Sequence, residues 1–469
     1  MRRCPTTAEL QNGLAVGFVS LGCPKNLVDT EYMAGVLRRD GLRLAPSPEA
    51  ADVVLVNTCA FVDAAKEEAI AAILDACALK GRGPCRAVIV TGCLPQRYGR
   101  ALSALLPEVD AFLGVDQLDE VGRIVRRVVR DGARPAFDVR GEPHRLFESP
   151  DPSVIFTGGP YAYLKIAEGC DHRCRFCAIP SIRGRYRSRS IDSVVAEAER
   201  RLDQGARELI LVSQDTTAYG GDRRDGASLA RLMRRLDRLG GDYWVRWLYG
   251  HPARIGDDVL DAMLESRHVC RYLDLPVQHT HPDMLRAMGR PVQDVAALFA
   301  RIRSRIPDAV LRTTLLAAYP GETPRHFRHM LNVVADVRFD HVGVLAFSPQ
   351  EGTPAAQRAD RPSSRTAASR RDRLLKTQRA VVREKARERI GGTDVVLLES
   401  TSPKLRGIRR GRSSGEAPDI DGVVRVSGVP SAVPAGTFVR VRYRRAAGYD
   451  LDADYMGPAA GGRNRRERE

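Results

Sequence analysis

The sequence predicts an α/β protein in three parts: an open parallel α/β sheet domain, a partial (β/α) barrel, and a small C-terminal β-barrel. Three observations carry this expectation. The first ~130 residues alternate short β-branched runs with amphipathic stretches. A second such series begins at Tyr161 and repeats six times. After Gly391-Gly392 the texture changes to short β-rich runs separated by Gly and Pro.

In the first part, strands are expected at 15–20, 52–57 and 86–91, with helices at 27–39, 64–79 and 97–105. Strand followed by helix favours a parallel sheet with helices on its faces. In the second part, strands are expected at 162–167, 208–213, 244–249, 272–275, 310–315 and 341–347. Helical patterns lie between them, at 193–202, 229–239 and 324–337. A basic helical stretch covers 363–390, and strands at 395–399, 422–426 and 438–443 complete the last part. These textures divide the chain into domains at 13–133, 156–390 and 391–457. Residues 134–155 form a Pro-, Gly- and charge-rich linker, and 458–469 a disordered basic tail.

At 469 residues, with 43% hydrophobic and 28% charged side chains, the composition is that of a globular protein. No apolar run approaches the roughly 20 residues of a membrane span. Met1-Arg2-Arg3-Cys4-Pro5 has no apolar stretch behind it, so no secretory signal is expected. A cytoplasmic chain keeps its thiols reduced, and its ten cysteines then point to metal ligation or catalysis before disulfides. The formal charge of +16 fits a polyanionic partner. It equally fits the Arg bias of a GC-rich genome.

Cys170, Cys174 and Cys177 form a CxxxCxxC loop directly after the first barrel strand. Thiolates are the usual ligands of iron–sulfur clusters, and three of them leave one iron of a 4Fe-4S cluster open. A zinc site with His172 as a further ligand is the alternative, but no second ligand pair follows. Cys23, Cys59 and Cys93 each fall just past the end of a predicted strand, on the edge where open α/β sheets gather ligands. Buried free thiols are the alternative for these three. Cys4, Cys77, Cys85 and Cys270 lack such placement and are expected to be structural or incidental.

With these residues in place, the chain resembles the radical S-adenosylmethionine (SAM) methylthiotransferases along nearly its whole length. Cys170-Asp171-His172-Arg173-Cys174-Arg175-Phe176-Cys177 is similar to the radical SAM signature, including the aromatic Phe176 before the last Cys. Cys23, Cys59 and Cys93 resemble the ligands of the family's auxiliary cluster, and the C-terminal part resembles a TRAM domain. The resemblance implies two 4Fe-4S clusters and SAM as cofactors. It implies that one cluster passes an electron to SAM, that the resulting 5′-deoxyadenosyl radical takes hydrogen from carbon, and that the second cluster delivers sulfur.

Two branches of the family differ in substrate. Ser20-Leu21-Gly22-Cys23-Pro24-Lys25-Asn26, Ile179-Pro180-Ser181-Ile182-Arg183-Gly184 and the acidic Ala417-Pro418-Asp419-Ile420-Asp421-Gly422 resemble the ribosomal-protein branch. An acidic segment there would suit a basic protein. The resemblance then implies methylthiolation of an aspartate β-carbon in ribosomal protein uS12. Its further implications are a flavodoxin- or ferredoxin-like electron donor, no membrane partner, and a monomer. The tRNA adenosine branch is the alternative, and a non-catalytic, metal-stabilised RNA-binding protein is a second.

For SAM, Ser213, Gln214 and Asp215 follow the second barrel strand, and Gln278 and His279 follow the fourth. Each could contact the ribose or amino-acid part, or be a satisfied polar group at a strand end. Residues 320–323 could approach the nucleoside, or form a turn in which Thr323 caps a helix. Arg183, Arg185 and Arg187 could hold carboxylate or phosphate, or be solvated surface. Ala318-Tyr319 and Pro349 depart from the family's usual residues, which bears on the shape of the SAM pocket.

Overall fold

Parallel strands whose side chains alternate between two apolar faces need cover on both, and the first part of the chain supplies it. In the computed structural model, residues 13–131, 136–147, 154–401 and 407–459 are described. Cys4, parts of the expected linker and nearly all of the expected tail lie outside the described residues. The described chain divides into two compact units. One comprises Met1–Phe156, Glu168–Arg187 and Ser348–Ala356; the other comprises Thr157–Ala167, Ser188–Phe347 and Gln357–Glu469.

In the first unit, β1 (Ala15–Ser20), β2 (Arg43–Leu44), β3 (Val53–Thr58), β4 (Ala87–Gly92), β5 (Ala111–Leu113) and β6 (Ala136–Asp138) form one sheet. Its order is β2-β1-β3-β4-β5-β6, and every pairing is parallel. Val54, Val56, Val88 and Val90 point to one face, under Ala69 and Ile73 of α2 (Asp63–Ala78). Val53, Leu55 and Ile89 point to the other, under Met33, Val36 and Leu37 of α1 (Pro24–Arg39). The period of two therefore fills both cores. The expected helix at 97–105 is instead two short helices, α3 (Cys93–Tyr98) and α4 (Arg100–Leu105), broken at Gly99 with φ +57°. Residues 136–138, read as linker, add the edge strand β6. Two further helices complete the unit, α5 (Val121–Asp131) and α6 (Ile179–Arg183).

The second unit contains β7 (Tyr161–Lys165), β8 (Glu208–Val212), β9 (Trp244–Trp247), β10 (Tyr272–Asp274), β11 (Val310–Ala317) and β12 (His341–Ala346). They form two parallel three-stranded sheets, β9-β8-β7 and β10-β11-β12. A parallel bridge, Val245 to Val269, ties β9 to the segment entering β10. Sequential parallel strands with intervening helices make an open barrel. Its helices are α7 (Ile191–Asp203), α8 (Leu229–Leu236), α9 (Asp257–Glu265), α10 (Pro282–Ala287), α11 (Val295–Arg305) and α12 (Pro324–Val337).

The long helix α13 (Ser364–Arg389) then leads into a closed five-stranded barrel. Its strands are β13 (Thr393–Thr401), β14 (Ile408–Ser413), β15 (Val424–Ser427), β16 (Phe438–Ala447) and β17 (Asp450–Pro458). β14 and β17 escape the sequence reading because Ile-Arg-Arg-Gly-Arg-Ser and Asp-Leu-Asp-Ala-Asp-Tyr lack a β-branched run. The fold class expected from the sequence is the one observed.

Within this unit the C-terminal barrel sits against the N-terminal ends of the (β/α) barrel strands. Glu208, at the start of β8, accepts from Arg246 Nε at 2.7 Å and from Arg412 at 2.6 Å. Arg412 also reaches Glu399, and all these side chains are at most 9% exposed. Asp421 accepts from Tyr272 Oη at 2.7 Å, pairs with Arg312, and takes the main-chain N–H of Ala417 at 2.9 Å. Tyr161 Oη donates to Asp419 at 2.9 Å. Asp421 of the acidic segment at 417–422 is thus spent inside the molecule, whereas Asp419 and Ile420 stay exposed. The Asp421 carboxylate finds arginine and tyrosine donors that composition alone does not reveal.

Breaking such a buried network leaves a charge without its partner, which costs about 3–5 kcal/mol. Arg412→Met should lower stability by that order in denaturant titrations. Removing the exposed pair Arg234–Glu265 should cost under about 1 kcal/mol. A pH dependence follows from Glu416. Burial opposes its charge, but Arg389 and Ser413 hold the carboxyl down at about 2, against an ordinary value of 4.5. Its contribution is therefore complete above pH 4.5 and is lost as pH falls towards 2. Stability should fall by up to ~3 kcal/mol over that interval, and Glu416→Gln should flatten the fall.

Candidate active site: two cysteine trios

Six of the cysteines singled out in the sequence fall within the first unit. Cys23 is the N-cap of α1, with Pro24 opening the helix. Its carbonyl accepts from the N–H groups of Asn26 at 2.9 Å and Leu27 at 3.2 Å. Cys59 follows β3, and Cys93 opens α3 straight after β4. Because β1, β3 and β4 are parallel neighbours, all three cysteines lie along one sheet edge.

One side-chain amide holds that edge together. Asn26 Nδ2 donates to the carbonyls of Leu21 at 3.1 Å and Thr58 at 2.9 Å, fixing the loops before Cys23 and Cys59. Asn57 Nδ2 in turn donates to the main-chain carbonyl of Asn26 at 2.8 Å. Thr58 Oγ1 donates to the carbonyl of Thr91 at 2.7 Å, which ties in the strand before Cys93. The approach is close enough that a Cβ on Gly22 would lie 2.6 Å from Cys59 Cβ, at a φ of +88°.

Arg183 completes the cluster of contacts. It is buried, and it donates to Asn26 Oδ1 at 2.6 Å and to Cys93 Sγ at 3.3 Å. Its other terminal nitrogen reaches Asp29 at 2.7 Å and Glu168 at 3.3 Å. Burial works against the guanidinium, but Glu168 and Asp29 keep it protonated. Burial also pushes the Cys93 thiol up to about 12, more than Arg183 pulls it down, and the other two thiols add to the rise. Cys59 is raised for the same leading reason.

The second trio lies in the loop before α6. Cys170 N–H donates to the carbonyl of Gly184 at 3.1 Å, and Cys177 N–H to that of Cys174 at 3.1 Å. The N–H of Ile179 points to Cys177 Sγ at 3.5 Å. Ala355 N–H donates to the carbonyl of Arg175 at 2.9 Å, so the 348–356 segment braces this loop. That segment is held in turn by Arg97 on Gln350 at 2.8 Å and by Ser348 on Asp63 at 2.6 Å. Phe176 and His172 are both half-buried. Gly169, at φ +81°, admits no Cβ, which would fall 2.1 Å from the Arg185 carbonyl oxygen.

Ser213, Gln214 and Gln278 belong to the second unit, just past β8 and β10. Ser213 is buried, 3.4 Å from Thr216 Oγ1. Asp215 caps the next turn through Thr217. Gln278 has φ +67°, and Tyr249 and Ala318 have +63° and +62°. All three lie past the carboxyl ends of barrel strands β9, β10 and β11. Each such residue costs roughly 1–2 kcal/mol, and strain of this kind concentrates at functional rims. His279 is occupied structurally: its Nδ1 accepts from Thr280 and His281 N–H groups, and its Nε2 lies 3.5 Å from Glu322. Thr323 caps α12 in a capping box with His326.

Of the arginines, Arg185 is exposed, whereas Arg187 donates to the carbonyls of Pro143 and Arg145. Asn26 and the depth of Arg183 were missed in the sequence. The signal available was their position inside Cys-Pro-Lys-Asn and Ser-Ile-Arg-Gly. A three-donor group the sequence did not flag, His281, Asp283 and His326, has its donor atoms within 4.8 Å of one another. Both imidazoles accept a main-chain N–H at Nδ1, His281 from Asp283 and His326 from Thr323. Each ring thus uses Nδ1 at a helix start, and the group caps two helices.

Comparison with known proteins identifies the family. Residues 15–114 match the model described as uncharacterized protein family UPF0004, 164–334 the radical SAM superfamily, and 390–455 the TRAM domain. Relatives include the ribosomal protein uS12 methylthiotransferase RimO of Desulforamulus reducens, 41% identical across 93% of this chain and 98% of that protein. The RimO of Pelotomaculum thermopropionicum is 42% identical across 94% and 99%. That of Symbiobacterium thermophilum is 43% identical across 94% and 91%. Among solved structures, the radical SAM methyltransferase TsrM of Kitasatospora setae aligns with a TM-score of 0.54 at 16% identity. It covers 73% of this chain and 77% of its own, a likeness of fold. On identity across nearly its full length, the chain belongs to the RimO family of radical SAM methylthiotransferases.

Proposed function

We propose that this chain methylthiolates the β-carbon of an aspartate in ribosomal protein uS12 by radical SAM chemistry. The observation that carries the reading is the pair of cysteine trios in one unit, in a chain 41–43% identical to RimO relatives. Those relatives are named for uS12, which favours the protein substrate over tRNA. A purely structural metal site would not need two trios.

Cys170, Cys174 and Cys177 would hold one 4Fe-4S cluster, leaving a coordination position for SAM; Cys23, Cys59 and Cys93 would hold the other. The donor chemistry fits, since both sets are thiols alone, the ligands such clusters take. Ligand thiols must be ionised, and bound iron supplies the positive charge that favours the thiolate. When bound, the clusters and SAM supply the one-electron chemistry that opens an unactivated C–H bond.

The protein's part is to bind and orient. Phe176 is assigned to pack beside SAM, with Ser213, Gln214 and Gln278 as its polar contacts. Their place past the strand ends and the left-handed backbone at Gln278 support this. We place the domain limits at 13–133, 156–390 and 391–457, supported by the three family matches, which fall inside these limits to within one residue. No helix among the described residues is long and apolar enough to cross a membrane. We assign the chain to the cytoplasm as a monomer, reduced by a flavodoxin- or ferredoxin-like protein.

The test offers anaerobically reconstituted protein, reductant and SAM to purified uS12 and tRNA together, with products read by mass spectrometry. One methylthio group gained on one aspartate of uS12 is the expected result. Gain on tRNA alone, or deoxyadenosine formed without modified uS12, would overturn the substrate assignment.

A further inference from the structure

We infer that Arg183 is a positioning residue that, through the Cys93 sulfur, sets the reduction potential of the cluster held by Cys23, Cys59 and Cys93. The inference rests on the assignment of that trio as cluster ligands. Arg183 is 2% exposed and lies 3.3 Å from Cys93 Sγ. Burying a guanidinium costs several kcal/mol before pairing. Two carboxylates, Asp29 and Glu168, already face it at 2.7 and 3.3 Å. Its contact with sulfur therefore goes beyond what charge balance requires. Filling the space would need only an apolar side chain.

An N–H donor on a ligand sulfur stabilises the more negative, reduced cluster and raises its potential. The positive charge acts in the same direction, and Asp29 opposes it. Arg183 also belongs to the Glu168–Arg187 segment that carries the other trio. Cys170 N–H donates to the carbonyl of Gly184, the residue next to Arg183, at 3.1 Å. The donor to one trio is thus fastened to the loop of the other, so a shift in that loop moves the guanidinium relative to Cys93.

The experiment uses full-length protein with Cys170, Cys174 and Cys177 changed to Ala, so that a single trio remains. After anaerobic reconstitution, iron content is measured and the midpoint potential is followed by electron paramagnetic resonance. Arg183→Met should retain iron and shift the midpoint to a more negative value. Arg183→Lys, which keeps the charge, should recover part of that shift. Asp29→Asn should move the midpoint the other way. If Arg183→Met fails to load, the Lys and Asn variants carry the same prediction of opposite signs. Unchanged midpoints, or shifts of one sign, in iron-loaded variants would overturn the inference alone. A background protein that takes up no iron would instead overturn the trio's assignment, and the inference with it.

Discussion

The side-chain amide of Asn26 is the interaction on which the cysteine-bearing edge depends. Parallel strands deliver Cys23, Cys59 and Cys93 to one edge, but loops after strands are free to splay. Asn26 spans two of them by donating to Leu21 and Thr58, and it accepts from Arg183. A buried amide that satisfies several partners contributes about 1 kcal/mol per bond, and more where one partner is charged. Its loss would remove a donor from the Leu21 and Thr58 carbonyls and one acceptor from Arg183, which keeps Asp29 and Glu168. The edge is therefore defined by hydrogen bonding as much as by sheet topology.

The buried arginines change the meaning of the chain's charge. Arg183, Arg201, Arg246 and Arg412 are all at most 2% exposed, and each lies beside a carboxylate. Part of the basic composition thus serves the interior, where each pair is neutral and leaves the net charge of +16 to other residues. There it links strands, helices and the C-terminal barrel within its own unit. A basic composition alone is therefore a weak argument for nucleic-acid binding here. The acidic run at 417–422 carries the matching lesson, since Asp421 is needed by Tyr272, Arg312 and Ala417.

Much of this was legible in the sequence. Short β-branched runs such as Val53–Thr58 could only be buried strands, and the three cysteines after strand ends followed from counting. The CxxxCxxC loop announced its chemistry by spacing. What stayed hidden was long-range pairing: nothing local in Ser-Ile-Arg-Gly says that this arginine is buried against Asp29, Asn26 and Cys93. Strands rich in Arg or Asp, β14 and β17, were hidden because their stability comes from barrel closure, not from local propensity. Gly99 broke an expected helix because the hydrophobic pattern continues across it while the backbone does not.

The two trios are proposed as separate metal centres, neither borrowing a cysteine from the other. Mössbauer spectroscopy of anaerobically reconstituted protein, with each trio changed to Ala in turn, tests this directly. Two 4Fe-4S clusters are expected in the parent protein and one in each variant. Zinc in either site, or loss of both clusters from a folded variant lacking one trio, would contradict it.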